Sequence, residues 1–377
     1  MEKIKIAIIG SGRMAWIMSR NAHEMGLVTH CFSNVEPDFI HDEVDVFHNI
    51  SIFEKDKIVE ICKSQAIAGV IATTELTVAV AAYVAEKIGT PGITYQNALF
   101  ITDKFRNRMV CRDIYELNQP AFYRIYSESN LNVVCCVYPE IVKPTGKGGK
   151  KGITVVNNPQ DLNSAYQYAK DNSGEAPVII EQFIEGGKEY SVETLSYKGK
   201  HYVIQITEKI TSGPPHCVEL GHHQPANLSE KMKEKVKTAI SKGLTAIGVD
   251  NSTCHTEIKI VDDKIYLIEF NARPGGDHIA WPLTELSTGY NIIKGAISIA
   301  LGKFKGIDFS SFNKNYAGVY FVTKQSSYLK PIFDECEKYD WLYHKNYVSE
   351  ELQELEHNDC YGTNSIIYFS KSHRINL

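Results

Sequence analysis

The stretch Cys254–Asp277, CHTEIKIVDDKIYLIEFNARPGGD, concentrates the residues best able to do chemistry. It reads as two strands, roughly Thr256–Val261 and Ile265–Asn271, joined by the turn residues Asp262, Asp263 and Lys264. Strand side chains alternate between faces, so Ile258, Ile260, Tyr266, Ile268 and Phe270 share a face that can pack into a core. Glu257, Lys259, Leu267, Glu269 and Asn271 share the other. A three-residue turn sets Glu257 opposite Glu269, about 4.5–5.5 Å away. Two carboxylates that close repel, so a proton or a cation must stand between them. With the amide oxygen of Asn271 they make a hard oxygen donor set, suited to Mg²⁺ that also holds substrate phosphates. Arg273 follows beyond the strand end, with a guanidinium fork suited to phosphate or carboxylate. The bland alternative is a solvated sheet face whose acids pair with Lys259 and Lys264.

Three upstream stretches have matching chemistry. Ile141-Val142-Lys143-Pro144 leads into Thr145–Gly152, TGKGGKKG, and then a strand, Ile153–Val156. Glycines let a backbone fold over phosphates with its N–H groups inward, and lysines supply countercharge. The strand–loop–strand setting separates this loop from a Walker loop, which needs GxxxxGK[ST] leading into a helix. The glycines and like charges predict a loop that stays open until phosphate selects one conformation. Next, an apolar strand Val178–Ile180 exits into Glu181–Glu189, EQFIEGGKE, and re-enters as Tyr190–Leu195, as a hinge between subdomains would. Earlier, Thr102-Asp103-Lys104-Phe105 begins a helix to about Leu117, for which the nearby Arg106 and Arg108 leave a merely solvated basic face as the bland alternative.

In this order the four elements resemble the ATP-grasp superfamily, over most of the chain. The resemblance implies ATP, with Glu257, Glu269 and Asn271 holding Mg²⁺, or Mn²⁺ in its place, and Arg273 steadying the transferred phosphoryl group. It implies that Lys104 and Lys143 contact the phosphates beneath a cover containing Lys147, Gly148 and Gly149. Backbone groups of Gln182 and Ile184 would read the adenine edge, with Glu181 and Phe183 beside them, and Glu189 would accept the ribose hydroxyls. Many members have a second acid where Gln182 stands. His223, in Gly221-His222-His223-Gln224, would lie by the nucleotide or substrate; zinc is disfavoured there because no further ligands stand at suitable spacing. The implied activity is a carboxylate–amine ligase working through an acyl phosphate, and NARPGGDHI looks most like ligases that join amino acids. Alternatives are a biotin-carboxylase-like enzyme, a purine-biosynthesis ligase, and a silent nucleotide-binding module, which would be expected to lack one of Glu257, Glu269, Lys143 or Arg273. D-alanine–D-alanine ligases are similar in fold, but their N-terminal glycine motif is absent.

The elements that must position these residues are those of a multidomain α/β chain. At 377 residues two or three cores are expected. Ile4–Ile9, Gly10-Ser11-Gly12, a helix to about Met25 and a strand Val28–Phe32 open a doubly wound unit. The turn also fits the GxGxxG/A dinucleotide fingerprint, which makes a nicotinamide-dependent oxidoreductase the rival reading. Against it, Ser33-Asn34-Val35 ends the second strand and the first acid, Glu36, arrives late for ribose. Ala66–Thr73 reads as a strand and Leu76–Ile88 as a helix, with Glu75 at their junction, where open sheets present ligand-binding groups; a helix N-terminal acid is the plainer account. Pro274-Gly275-Gly276-Asp277-His278 reads as a glycine loop opening a helix, its amides suited to a substrate carboxylate. Residues 303–377 show no chemistry of their own, with strands at Ala317–Thr323 and Ser365–Phe369.

The expected fold is therefore α/β, α+β in part: an N-terminal Rossmann-like domain over 1–100, a linker helix and lid over 101–184, and a C-terminal domain with the metal hairpin over 185–377. Nine scattered cysteines without a CxxC pair point to reduced thiols and the cytoplasm. A net charge of −5 gives no nucleic-acid surface, and Ala66–Ala85, the most apolar region, is broken by Glu75 and is no membrane span. The expected partners are a small carboxylate and an amine, in a homodimer.

Overall fold

The computed structural model describes residues 3–35, 39–133, 137–146, 151–214, 217–355 and 360–377. Three sheets carry the architecture. The first is parallel, in the order β3-β2-β1-β4, from β1 (Lys5–Ile9), β2 (Val28–Ser33), β3 (Val46–Asn49) and β4 (Val70–Ala72). The chain turns from one side of β1 to the other here, so the carboxyl ends of β1 and β4 form a switch point. Gly10–Gly12 and Thr73–Glu75 lie at that point. Gly10 has φ 96°, and a Cβ there would meet Thr73 Oγ1 at 2.4 Å, so the turn needs glycine on both counts. Ser33 donates its hydroxyl to Ser11 at 3.1 Å, where the rival dinucleotide reading would want an acid. Glu36 lies outside the described residues.

The second sheet is antiparallel, in the order β5-β8-β6-β7, from β5 (Phe122–Ile125), β6 (Glu140–Pro144), β7 (Thr154–Val156) and β8 (Val178–Gln182). The helix Leu162–Ser173 packs Leu162, Ala165, Tyr166 and Ala169 onto Val142, Val178 and Ile180 to close its small core.

The third sheet has eight strands: β9 (Lys188–Tyr197), β10 (Lys200–Thr211), β11 (Glu219–Gln224), β12 (Ser252–Val261), β13 (Lys264–Asn271), β14 (Tyr316–Val322), β15 (Leu342–Asn346) and β16 (Asn364–Ser370). Their order is β13-β12-β9-β10-β11-β14-β16-β15. The helix Glu230–Ile247 starts at Ser229, whose hydroxyl accepts from Met232 N, and stops at left-handed Gly248. It buries Met232, Val236, Ile240 and Leu244 against the sheet. At Gly243 it approaches so closely that a Cβ would stand 2.6 Å from the Phe270 ring, so this glycine seats the hairpin β12–β13. The helix Gly12–Glu24 packs on Ile292–Ala300, joining the parallel sheet to the large one through a shared core.

Several expected elements take other bounds. The region around Lys104 is two helices, Tyr95–Ile101 and Lys104–Cys111, because Asp103 caps the second with bonds from Phe105 N and Arg106 N. The loop at Pro274 opens no regular helix: a distorted turn, Ile279–Leu283, is followed by only Thr284–Thr288. Strands β3, β5, β11 and β15 are not among the expected elements. No helix among the described residues is long and apolar enough to cross a membrane.

Candidate functional site

The hairpin β12–β13 places Glu257 opposite Glu269, but by a route different from the expected one. Its turn is two residues, Asp262 and Asp263, both left-handed at φ 48° and 60°, the geometry that two-residue hairpin turns favour. Regular pairing then runs from Val261↔Lys264 to Ile258↔Leu267, and a bulge skips Ile268 before Glu257↔Glu269. Two residues on one strand oppose one on its partner, and the strand face is reset. Hence Ile265 and Leu267 join the core, whereas Tyr266 and Ile268 line the cleft, the reverse of strict alternation.

That cleft has a volume of about 510 Å³. Its lining includes the Glu181–Ile184 segment and, from the switch point, Ser11, Gly12, Arg13, Thr73 and Thr74. Lys104, Lys143, Glu181, Gln182, Phe183, Ile184, Glu189, Glu257, Glu269, Arg273, Gly276, Asp277 and Glu75 also line it. Lys147, Gly148 and Gly149 lie outside the described residues.

Cation and acid alternate along the walls. Lys104 Nζ is 2.7 Å from Glu269 Oε2, and Asn271 Nδ2 donates to Glu269 Oε1 at 2.9 Å, which keeps the Asn271 amide oxygen as an acceptor. Burial disfavours the charged form of Lys104, but Glu269 outweighs it and raises its pKa. Lys209 Nζ lies between Glu257 and Glu219, at 2.7 and 2.8 Å. His255 touches Glu193 through Nδ1 and stands 3.3 Å from Glu257 through Nε2. Burial pulls the His255 pKa down, yet the Glu193 carboxylate holds it at about 9, so this ring is an imidazolium at neutral pH. For Glu257 burial is overcome by Lys209 and His255, and its pKa falls below the usual carboxylate range. Glu257 and Glu269, facing each other with an amide oxygen beside them and cations behind, fit a hard divalent cation.

A second knot stands around Lys143. Glu181 binds Lys143 Nζ at 2.6 Å and Arg108 Nε at 3.0 Å, and Arg108 Nη2 also donates to Ile268 O at 2.8 Å. Arg108 is 1% exposed, so the alternative of a solvated basic face fails for it: the helix Lys104–Cys111 turns Arg108 inward while Arg106 stays out. Burial works against ionised Glu181, but the two cations hold its pKa at about 2. Lys143 is the reverse case, with burial keeping its pKa below the usual lysine value despite Glu181. At the hinge, the Gln182 and Phe183 amides donate to Ala121 O and Pro139 O, both at 2.9 Å, and Lys259 Nζ takes Ile184 O at 2.6 Å. Of the backbone groups expected to meet adenine, the Gln182 N–H is therefore committed to Ala121 and the Ile184 carbonyl to Lys259, while the Ile184 N–H has no partner among the described residues.

Arg273 donates to Pro274 O at 3.0 Å and to the Glu75 carboxylate, so the hairpin is tied to the N-terminal sheet. Burial opposes charge on Glu75, and Arg273 reverses this to hold its pKa below normal. Two expected contacts with a ligand fall elsewhere. Gly275 N donates to Glu193 Oε2 at 2.9 Å, and a Cβ there would meet Glu193 and His255 at 2.7 Å. This glycine serves packing, and its amide is spent. His223 bonds Tyr368 OH at 2.9 Å among Tyr320 and Tyr368, away from the cleft, while His222 on the opposite strand face stands 3.1 Å from Glu219. Alternation along β11 would have separated the two histidines, had that strand been recognised. Glu193, Lys209, Glu219 and His255 were missed, since they lie on four separate strands and only sheet pairing gathers them.

Residues 136–281 match the ATP-grasp domain family. The fold is likewise that of L-amino acid ligase from Bacillus licheniformis, with TM-score 0.81 and 22% identity over 99% of this chain and 95% of that one. Among sequence relatives, the carbamoyl phosphate synthase large chain of Thermotoga petrophila is 25% identical over 331 residues, 80% of this chain but 29% of that protein. The D-alanine–D-alanine ligase of Campylobacter concisus is 32% identical over 152 residues, 37% of this chain and 41% of the relative. The chain thus spans under half the length of each of these two relatives in the matched regions.

Proposed function

We propose that the protein is an ATP-dependent carboxylate–amine ligase, with an amino acid as its carboxylate substrate and an acyl phosphate as intermediate. The observation that carries this reading is the meeting, in one cleft, of Glu257 and Glu269 with Lys104, Lys143 and Arg273. ATP lies with adenine at the Ile184 amide and its phosphates toward Lys143 and Lys104, and Glu189 is at hand for the ribose. Mg²⁺, or Mn²⁺ in its place, would be held by Glu257, Glu269 and Asn271 and would neutralise phosphate oxygens during transfer. Arg273 exchanges Glu75 for the transferring phosphoryl group, keeping a negative partner throughout. Buried lysines cost no reorganisation at that moment, which is how fixed charge lowers a phosphoryl-transfer barrier. The walls exclude water, protecting an acyl phosphate from hydrolysis. The assembly proposed is a cytoplasmic homodimer acting on two small molecules.

The test is ADP release with Mg²⁺ and ATP against the twenty L-amino acids, singly and in pairs. Release that requires a pair supports the ligase and names both partners. Bicarbonate-dependent release with no amino acid requirement would instead select the carboxylase alternative.

A further inference from the structure

The acids of the cleft are not equally partnered. Glu75 touches Arg273, Glu181 touches Lys143 and Arg108, Glu269 touches Lys104, and Lys209 serves both Glu219 and Glu257. The Asp277 carboxylate makes no hydrogen bond and no ion pair with any described residue, yet it lines the same cavity as Arg273. One oxygen of Asp277, one of Glu219 and the Cys360 sulfur lie within 4.8 Å of one another. Burial, and then the neighbouring Glu219, push the Asp277 pKa up against the opposite pull of His222, Lys209 and Arg273, and a positive ligand there would favour its ionised form.

The surroundings indicate which cation. Glu219 already binds an ammonium, that of Lys209, at 2.8 Å, so the geometry of this corner suits –NH₃⁺. Asp277 and His278 both take left-handed φ, 51° and 69°, a region uncommon outside glycine though Asp and His enter it more readily than most. They are held there partly by Tyr361, whose hydroxyl accepts from His278 N at 3.3 Å and whose ring lies 4.8 Å from the His278 ring. Tyr361 belongs to the turn Cys360–Gly362 and lines the cleft, so the C-terminal region, expected to show no chemistry, closes this end.

We propose that Asp277, backed by Glu219 and capped by Tyr361, is the subsite for the ammonium group of the amine-donating substrate, and that its carboxylate takes the proton that frees the nitrogen lone pair. The proposal rests on the ligase reading above. One N–H proton passes to an Asp277 oxygen. The nitrogen pair then forms a bond to the acyl carbon, the bond from that carbon to the phosphate oxygen breaks, and phosphate leaves with the electron pair. A second proton from nitrogen goes to the departing phosphate, which leaves a neutral amide.

Hydroxylamine separates this step from the one before it, because it is largely uncharged near neutrality and attacks acyl phosphates without surrendering a proton first. Wild type and Asp277→Asn are assayed with Mg²⁺, ATP and L-amino acids in two ways: hydroxamate formed with hydroxylamine, and amide formed with a second L-amino acid as the ammonium donor. The expected result is a loss of about 100-fold or more in amide, the size of a missing proton acceptor, with hydroxamate reduced by no more than a few-fold. The hydroxamate also reports that the variant is folded. Glu219→Gln is expected to raise KM for the ammonium donor in the same direction. Equal losses in both assays, or wild-type amide formation by Asp277→Asn, would overturn the subsite while leaving the ligase standing. A wild type that forms no hydroxamate with any amino acid overturns the ligase reading itself, and the subsite with it.

Discussion

Replacing Glu181 with Gln isolates the knot beneath Lys143. The carboxylate is 2% exposed and holds two cations, at 2.6 and 3.0 Å. Its folded pKa of about 2 stands against about 4.3 for an unfolded glutamate, and each unit is worth about 1.4 kcal/mol, so the ionised form contributes roughly 3 kcal/mol. Because the folded pKa is depressed, this stability is fully present above the unfolded value and is lost as pH falls toward 2. Glutamine keeps the shape but leaves Arg108 and Lys143 buried without their counter-ion, a loss of about 3–5 kcal/mol from removing one member of such a pair. Both routes give about 3 kcal/mol at pH 7. Lys143, already depressed by burial, loses its raising partner, so it gives up its proton more readily and Mg·ADP binding weakens as pH rises from 7 to 9. Urea unfolding at pH 7 and calorimetric titration of Mg·ADP across that range measure the two effects. A stability loss under about 1 kcal/mol, together with nucleotide affinity that does not change more steeply with pH than in wild type, would refute the argument.

Glu269→Gln should cut Mg²⁺-dependent turnover by roughly 100-fold or more while ADP binding through the hinge persists; wild-type ADP release by this variant would remove the metal assignment. Thermal stability should rise with Mg·ADP, by about 2.7 kcal/mol at a hundredfold excess over Kd, and should not move with NADH; the opposite pattern would shift the ligand to the N-terminal glycine turn. Gly275→Ala should destabilise the protein by about 1–3 kcal/mol through overpacking on Glu193 and His255, read from urea midpoints, and a neutral outcome would contradict the close approach described here.

What the sequence made legible was chemistry carried by spacing along the chain. Glu257, Glu269, Asn271 and Arg273 lie within 17 residues, on a hairpin whose apolar residues mark it as a strand pair. Lys143 and Lys104 were singled out through the family resemblance, at the strand before the glycine loop and at the helix start. What stayed hidden was whatever depends on pairing between strands distant in sequence. Lys209 reaches Glu257 across 48 residues, and Arg108 reaches Glu181 across 73. Their neighbours in sequence gave no hint that they are buried. His223 was chosen over His222 because the alternation of a strand is useless until the strand itself is recognised. The bulge was equally invisible: the acids face each other under both registers, and only the burial of Leu267 in place of Ile268 tells the two apart.

That bulge changes how the hairpin would respond to losing a residue. Deleting Ile268 would leave the ladder regular from Val261↔Lys264 upward, with Leu267 still inward and Glu269 still opposite Glu257. Metal-type acids and core would both survive such a deletion. What would vanish is a carbonyl, the one that accepts from Arg108 at 2.8 Å. The extra residue therefore serves as a tether between two charge systems, the acid pair of one strand edge and the arginine–glutamate–lysine knot of the small sheet. A shortened hairpin could still gather a cation, but Lys143 would no longer be braced against it.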